Sequence, residues 1–319
     1  MKKSRLILMG LLTLPMLVGC GRKKTAGTYS LTIWEDKSNL PHVQELCSNF
    51  VKDLKLKYKN APTINFKFVE QTEKSAIEKM RSGVAESGNG PDIVAVTHDT
   101  IVNGYGDVIN EITYPIDVRE ICTEQAVLSV SVGNKHDKLG AYPITADSQV
   151  FFYDKRRVND SQVGDFSTLL TGQNKIGLQL TGANGAYYSW CLYSDSVLFG
   201  TTGMDKSDVQ LGTAQTVINV TSFYRDFLSH VDDNSPEYTV NYFDTNPNFV
   251  GLVSTPFILS TLRNKIPEEY IGVAPIPKLN GVTLRPFSGY KAYAVSRYST
   301  EPLLANALCK YLSDYKAFR

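Results

Sequence analysis

Strand-like and helix-like segments alternate along this chain, and that alternation limits the folds open to it. A strand pattern at residues 30–34 is followed by an amphipathic helical pattern at 41–57, and the same pair recurs at 64–70 and 72–84. A fully buried strand pattern then occupies residues 92–97. Short strands that alternate with helices predict an α/β domain with a mainly parallel sheet.

A second series of elements begins after residues 139–154. Its predicted strands are 175–180, 251–255, 270–277 and 290–296. Its predicted helices are 186–198, 211–228 and a last helix that Pro302 opens. The segments "AYPITAD" and "VAPIPK" lie where one series gives way to the other. At 319 residues the chain is near the length at which one core divides into two. Two lobes joined by extended, proline-marked segments suit ligand capture by hinge closure.

The beginning of the chain has the pattern of a lipoprotein export signal. The basic run "MKKSR" precedes an apolar stretch that ends in "LVGC" and is too short to span a membrane. This ending resembles a bacterial lipobox, in which Cys20 would receive a diacylglyceryl group, and two acyl chains give stable anchoring. We predict a signal peptide at 1–19, a lipid-anchored tether at 20–28 and a position on the extracellular face of the membrane. The alternative is an ordinary signal peptide with a coincidental cysteine.

Charge and cysteine spacing argue against several other classes of protein. The chain has 33 basic and 32 acidic residues and no basic stripe, so we expect no nucleic-acid partner. The remaining cysteines (Cys47, Cys122, Cys191 and Cys309) are far apart and show no ligand-like spacing. We therefore predict no metal site and no cofactor. Cys47 and Cys309 fall on apolar positions of predicted helices, where cysteine packs as a small hydrophobe.

Polar side chains follow the buried strand at 92–97 directly. They are Thr97, His98 and Asp99, a hydroxyl, an imidazole and a carboxylate. Ligands of open α/β sheets usually bind at the carboxyl ends of strands. The residue types alone leave open a catalytic site, a metal site and a set of hydrogen-bonding groups for a neutral ligand.

Five segments, in order, resemble the extracellular solute-binding proteins of ABC importers, in particular the maltose-binding branch. They are "IWEDK" (33–37), "GNGPDIVAVTHD" (88–99), "GAYPITADSQVFFYDKRRV" (140–158), "AYYSW" (186–190) and "GVAPIPKLNG" (272–281). The resemblance implies a type II periplasmic-binding-protein-like α/β fold with two hinged lobes, each a sheet flanked by helices. Lobe 1 would comprise 29–144 and 278–319, and lobe 2 would comprise 145–277.

The resemblance also implies a carbohydrate site on lobe 1. Asp36 and Lys37 match positions that hydrogen-bond a sugar ring, and His98 and Asp99 match an "HD" pair, with Thr97 beside it. An ionised carboxylate can accept hydrogen bonds from two adjacent sugar hydroxyls, which suits Asp36 and Asp99 to this role.

On lobe 2 the resemblance implies three further ligand-binding residues. Asp147 matches a cleft glutamate, Tyr187 matches a tyrosine that lies against the sugar, and Phe257 matches a tryptophan that forms a stacking platform. Flat aromatic rings suit the apolar C–H faces of sugars.

Two departures from the maltose-binding pattern affect these expectations. Val96 stands where that branch has a stacking tryptophan, and both Trp34 and Trp190 match core positions. These departures leave open an oligosaccharide other than a long maltodextrin as the ligand. The family also continues past the helix at 303–318, so we expect a C-terminally truncated chain with an incomplete lobe 2.

From these observations we predict a lipid-anchored, monomeric binding protein that is not an enzyme. It would capture a maltose- or maltodextrin-type oligosaccharide and deliver it to ABC permease subunits with a cytoplasmic ATPase. One alternative is a ferric-iron carrier, because Tyr187, Tyr188 and His98 imitate an iron ligand set, although ferric iron would favour more anionic oxygens. The others are a glycoside-acting enzyme with paired aspartates and an adhesin or regulatory receptor that no longer transports.

Overall fold

The computed structural model describes residues 27–133, 135–181, 197–198, 207–210, 214–286 and 288–314. The chain divides into unit 1, Met1–Ala146 with Tyr290–Arg319, and unit 2, Asp147–Gly289. Residues 278–289, which the sequence analysis assigned to lobe 1, lie in unit 2. The reason is local pairing: Lys278 N donates to Gly164 O at 3.1 Å, and Phe166 N donates to Lys278 O at 2.9 Å.

The strands of the described residues are β1 (Thr28–Glu35), β2 (Thr63–Glu70), β3 (Ile93–Thr97), β4 (Ser131–Val132), β5 (Lys138–Leu139), β6 (Tyr142–Ser148), β7 (Val150–Asp154), β8 (Lys175–Gly177), β9 (Val197–Leu198), β10 (Val209–Gln210), β11 (Val231–Asp232), β12 (Phe249–Ser254), β13 (Ile271–Ala274) and β14 (Ser288–Val295).

The α-helices in the same part of the chain are α1 (Leu40–Lys57), α2 (Glu73–Lys79), α3 (His98–Gly104), α4 (Pro115–Ile121), α5 (Glu124–Ser129), α6 (Phe166–Leu169), α7 (Ala214–Phe227), α8 (Pro236–Thr239), α9 (Tyr242–Thr245), α10 (Leu259–Leu262) and α11 (Pro302–Leu312). An irregular helical segment, Met80–Asn89, follows α2 and is interrupted by the positive φ angles of Gly83 and Gly88. Short 3-10 turns occupy Leu228–His230, Pro256–Ile258 and Glu268–Tyr270. None of the helices in the described ranges combines the length and apolar character needed to cross a membrane.

Unit 1 is built on a five-stranded sheet in the order β2-β1-β3-β14-β6. Strand β1 pairs in parallel with β2 and β3, and β14 pairs antiparallel with β3. Helix α1 buries one face, which carries Val43, Leu46, Cys47, Phe50 and Leu54, in the core of this unit. The burial predicted for Cys47, Cys309 and Trp34 is confirmed.

Unit 2 is built on a second five-stranded sheet, in the order β11-β8-β12-β7-β13. Strand β8 is parallel to both of its neighbours, β11 and β12, whereas β7 is antiparallel to β12 and β13. The two sheets with their helices confirm the α/β fold class predicted from the alternating pattern.

Several elements of unit 2 were predicted with wrong ends, and two of them have a visible cause or replacement. The strand predicted at 175–180 ends at Gly177, because the amides of Leu180 and Thr181 donate to the Asp233 carboxylate instead of to a neighbouring strand. The helix predicted at 186–198 does not include its last two residues, which form β9 and pair antiparallel with β10. Residues 186–196 lie outside the described part of the chain.

A buried carboxylate holds the end of β7, and its loss has a predictable effect. The Asp154 side chain is 0% exposed and accepts from Arg156 Nε at 2.9 Å and Arg156 Nη2 at 2.6 Å. Burial by itself raises the pKa of Asp154, but the bonds and charge of Arg156 outweigh it and the pKa lies below its usual 3.8. We expect Asp154→Asn to lower the free energy of unfolding by about 2–3 kcal/mol, since charged hydrogen bonds are lost from a buried group.

The pH dependence of that contribution follows from the lowered pKa. The stabilisation is fully present above pH 3.8 and is lost as the pH falls through the folded-state pKa. Urea unfolding of both proteins at neutral and acid pH measures this, with Asp226→Asn, an exposed partner of Arg225, as the control that should change little. Equal stability of Asp154→Asn and the parent at neutral pH would contradict the expectation.

Candidate functional site

In unit 1 the polar residues singled out from the sequence meet at one edge of the sheet. Strands β1 and β3 run in parallel, with Ile33 opposite Ile93, so both carboxyl ends lie at the same edge. Strand β14 enters from the opposite direction and places Lys291 opposite Thr97. The edge therefore carries Asp36 after β1, Thr97 as the last residue of β3 with His98 and Asp99 after it, and the first residues of β14.

Asp36 is held as an anion by its own turn. Its Oδ1 accepts from the Ser38 hydroxyl at 2.7 Å and from the Ser38 amide at 3.0 Å. These two bonds, together with the positive charge of Lys291, lower the pKa of the half-buried Asp36 carboxyl below its usual 3.8. Among the described residues none donates a hydrogen bond to Oδ2, so this oxygen can accept one from a ligand.

Lys37 lies next in the chain but is directed elsewhere. Its side chain is largely exposed, and Nζ lies 4.0 Å from Glu70 Oε2 at the end of β2. An exposed pair at this distance contributes little to stability.

His98 is oriented by the backbone of β14. Its Nδ1 accepts a hydrogen bond from Tyr290 N at 3.2 Å, and the Tyr290 ring stands edge-on to the imidazole at a centroid distance of 6.5 Å. Since Nδ1 is the acceptor, the neutral ring carries its proton on Nε2. In this tautomer Nε2 is a hydrogen-bond donor.

The other two members of the triplet differ in exposure. The Thr97 hydroxyl oxygen is buried and has no hydrogen-bond partner among the described residues, whereas the Asp99 side chain is exposed in the first turn of α3. A buried hydroxyl without a partner is unfavourable, and the hydrogen bonds of Thr97 are left for a water molecule or a ligand to complete.

Sequence reasoning missed a buried carboxylate behind Asp36. Glu35 is 1% exposed, and its two oxygens accept from the Asp36 amide and from the Tyr293 hydroxyl. Burial raises the pKa of Glu35, and burial together with the nearby carboxylate raises that of Tyr293. The pair ties the turn at Asp36 to β14 in the core of unit 1. A signal existed, because Glu35 shares its face of β1 with the buried Leu31 and Ile33.

Lys291 is a second residue that the sequence did not reveal. Its Nζ lies 2.9 Å from Glu73 Oε1 at the start of α2, and its charge also acts on Asp36. Its place at the edge depends on the register of β14 against β3, a pairing between residues almost 200 positions apart.

Unit 2 contains a pocket of about 240 Å³ at the corresponding edge of its own sheet. It lies past the carboxyl ends of the parallel strands β8 and β12 and beside the start of α8. Its hydrogen-bonding side chains come from Gln149, Gln179, Ser235, Ser254 and Thr255. Two of these are deeply buried: Gln149 is 6% exposed and Ser254 is 1% exposed.

Apolar groups complete the wall of this pocket. Leu178, Pro236 and Val253 line it, and so does Phe257, whose side chain is 57% exposed. Glu237 is the one carboxylate among the described lining residues, and none of them is a lysine, arginine or histidine. The pocket therefore offers an aromatic face and uncharged hydrogen-bonding groups.

The remaining two predicted site residues are on unit 2. Asp147 is half-buried near the end of β6, and Tyr187 lies outside the described residues, as does its neighbour Tyr188. Within the described part of the chain, no group of three or more His, Cys, Asp or Glu side chains could hold a metal ion.

Two α/β units, each with polar side chains gathered past the carboxyl ends of its strands, define the fold of a solute-binding protein. A comparison with models of known protein families gave no match. The chain is 24% identical over 330 residues to a galactooligosaccharide-binding protein of Bacillus subtilis, a match that covers 94% of this chain and 74% of that protein.

Two solved structures share the fold. A ligand-free maltodextrin-binding protein of L. casei is 18% identical with a TM-score of 0.73, over 90% of this chain and 75% of that one. An extracellular solute-binding protein of Staphylococcus aureus in complex with maltose is 18% identical with a TM-score of 0.71, over 93% and 78%. The resemblance drawn from the sequence and the two-lobed fold it implied are confirmed.

Proposed function

We propose that this chain is an extracellular binding protein for a neutral oligosaccharide of the malto- or galacto-oligosaccharide class. The observation that carries the proposal is the pocket of unit 2, where the exposed Phe257 ring stands beside uncharged hydrogen-bonding side chains. A sugar ring has an apolar C–H face and a rim of hydroxyls, so it needs both kinds of surface at once. The names of the relatives agree with this ligand class.

The charges at both edges favour a neutral ligand. The unit 2 pocket offers one carboxylate and, among its described lining residues, no cation to balance an anionic ligand. At the edge of unit 1, Asp36 and Asp99 are acceptors for hydroxyl groups. Hydrogen bonds of hydroxyls to ionised carboxylates are worth about 1.5–3 kcal/mol each, so they would supply much of the affinity.

The proposal extends to location and partners. The "LVGC" sequence would anchor the chain to the outer face of the membrane through Cys20, and the chain would pass its sugar to an ABC permease. The names of the relatives describe binding, so the proposal includes no catalytic step.

A thermal-unfolding scan against a panel of sugars tests the proposed function. We expect maltose, maltotriose or a galactooligosaccharide to raise the Tm, because a ligand present at 100 times its Kd adds about 2.7 kcal/mol to the free energy of unfolding. Ferric citrate in the same panel should leave the Tm unchanged. A cooperative transition that no sugar moves would contradict the proposed function, and a shift with ferric citrate would favour the iron carrier.

Phe257 provides the matching substitution. Phe257→Ala should weaken the affinity for the stabilising sugar by about tenfold, since it removes the flat apolar surface for the C–H face of the sugar. Phe257→Trp should retain binding, because it keeps the flat surface. Titration calorimetry measures both variants, and equal affinity of Phe257→Ala and the parent would remove Phe257 from the site.

A further inference from the structure

We infer that Gln149 and Ser254 form a subsite in unit 2 that binds adjacent hydroxyl groups of a single neutral sugar ring and sets which ring is accepted. The inference rests on the proposed function and adds to it the residues that determine specificity. Neither side chain was singled out from the sequence, and the family resemblance assigned a role to neither.

The strand pairing brings the two side chains together. Ser254, the last residue of β12, pairs with Val150, the first residue of β7. Gln149 directly precedes Val150 in the chain and so lies beside Ser254. Both residues line the same pocket, past the carboxyl end of β12. Their closeness follows from the antiparallel register of β12 and β7, about a hundred residues apart in the chain.

Each of the two side chains has a buried oxygen without a partner among the described residues. Gln149 Oε1 and Ser254 Oγ have no hydrogen bond to any described residue, although the residues are only 6% and 1% exposed. A buried polar atom that lacks its partner costs about 1–3 kcal/mol, and such atoms are few in native proteins. Two of them in the wall of one pocket indicate that a bound molecule completes their hydrogen bonds, since local departures from good packing concentrate at functional sites.

The size of the pocket indicates one sugar ring. Its volume of about 240 Å³ is many times the roughly 10–15 Å³ that one water requires, so it admits a larger group. It is smaller than the about 300–1,000 Å³ of a pocket that encloses a whole drug-sized ligand, so it does not enclose an oligosaccharide. One ring of a longer chain fits between these limits, with Phe257 against its apolar face.

The chemistry of the pair suits adjacent hydroxyls. The amide oxygen of Gln149 accepts a hydrogen bond from one hydroxyl, and the Ser254 hydroxyl can donate to or accept from the next. A site built to hydrogen-bond a hydroxyl discriminates strongly against an analogue that lacks it, because the buried groups of the protein then stay unpaired. Epimers that redirect one hydroxyl, such as glucose and galactose units, are distinguished in the same way.

The test combines binding with stability in the full-length protein. The variants are Gln149→Met and Ser254→Ala, with Gln173→Met and Ser260→Ala as exposed controls in the same unit. The probes are maltose, galactobiose and monodeoxy analogues of whichever sugar the parent binds. We expect each pocket variant to bind that sugar about three- to tenfold more weakly and to lose its discrimination against one deoxy analogue. The controls should stay within about twofold.

Stability of the sugar-free proteins separates this role from a structural one. Because both polar atoms lack partners without ligand, Gln149→Met and Ser254→Ala should keep or raise the Tm of the free protein. A lowered Tm with unchanged sugar affinity and selectivity would overturn the inference and assign the pair to structural water or to packing.

Failure of the subsite and failure of the proposed function give different results. If the parent binds sugar and Phe257→Ala weakens that binding, unchanged affinity in both pocket variants overturns the subsite alone. If the parent binds none of the sugars, the proposed function fails and the subsite fails with it.

Discussion

Replacing Gly251 by alanine is expected to lower the free energy of unfolding by about 3 kcal/mol, at the upper end of the range for overpacked cores. Gly251 lies inside β12, where the strand shifts its register against β8 and pairs with Tyr153 of β7. A methyl group built on Gly251 would touch the Phe151 ring and would lie 2.5 Å from Phe152 O. A side chain can rotate away from such a contact, but the carbonyl belongs to the neighbouring strand, so the sheet itself must move.

Gly164 in the same unit provides the matched control. A methyl group built there meets no atom within 4 Å, and Gly164 is exposed. Gly164→Ala should therefore leave the free energy of unfolding unchanged or raise it by about 0.4–1 kcal/mol, through the smaller entropy of the unfolded chain. Urea unfolding of the three proteins measures the difference. A Gly251→Ala protein as stable as the Gly164→Ala protein would show that β12 and β7 lie farther apart than described.

The strands of unit 1 could be predicted from the sequence because their signals are local. The alternation around Ile64 and the apolar run ending at Val96 each depend on a few neighbouring residues. The mainly parallel arrangement of this sheet followed from the helices between the strands.

What the sequence did not predict depends on contacts between distant residues. Lys291 and Tyr290 reach the edge of unit 1 only because β14 pairs antiparallel with β3, and no local pattern defines that register. Gln149 and Ser254 meet in unit 2 for the same reason, through β7 and β12. Gln149 and Ser254 are polar residues beside strand ends, where polar residues are typical of turns. The sequence therefore provided no reason to assign them to a binding site.

Glu35 is an intermediate case. Its position on the buried face of β1 could be read from the alternation with Leu31 and Ile33, but its partner could not, because Tyr293 belongs to the last strand. A carboxylate on an apolar face predicts a buried hydrogen-bond partner of unknown identity. The structure supplies that partner and shows how the turn at Asp36 is held: Glu35 accepts from the Asp36 amide, and Ser38 donates to its carboxylate.

Asp36→Ala is expected to weaken sugar binding by about tenfold to a hundredfold, the loss of one hydrogen bond to a charged acceptor. The proposed contact is made by Oδ2, since Oδ1 already accepts both bonds from Ser38. Lys37→Ala is the control, because Lys37 is adjacent in the chain but directed towards Glu70. Titration calorimetry with the sugar that raises the Tm should show a large loss for the first variant and a change within about twofold for the second. Equal losses would place both Asp36 and Lys37 in contact with the sugar.

The pH dependence of binding tests the same carboxylate without removing it. Because the pKa of Asp36 lies below 3.8 in the folded chain, the anionic acceptor persists through mild acid and is lost only as the pH falls through that lowered pKa. Ser38→Ala removes the hydroxyl bond, the largest cause of the lowering, and keeps the bond from the residue 38 amide, so the pKa of Asp36 should rise part of the way towards its usual value. Sugar affinity of Ser38→Ala should then begin to fall at a higher pH than in the parent, while circular dichroism confirms that both remain folded. Coincident pH profiles of the two proteins would mean that another group supplies the acceptor.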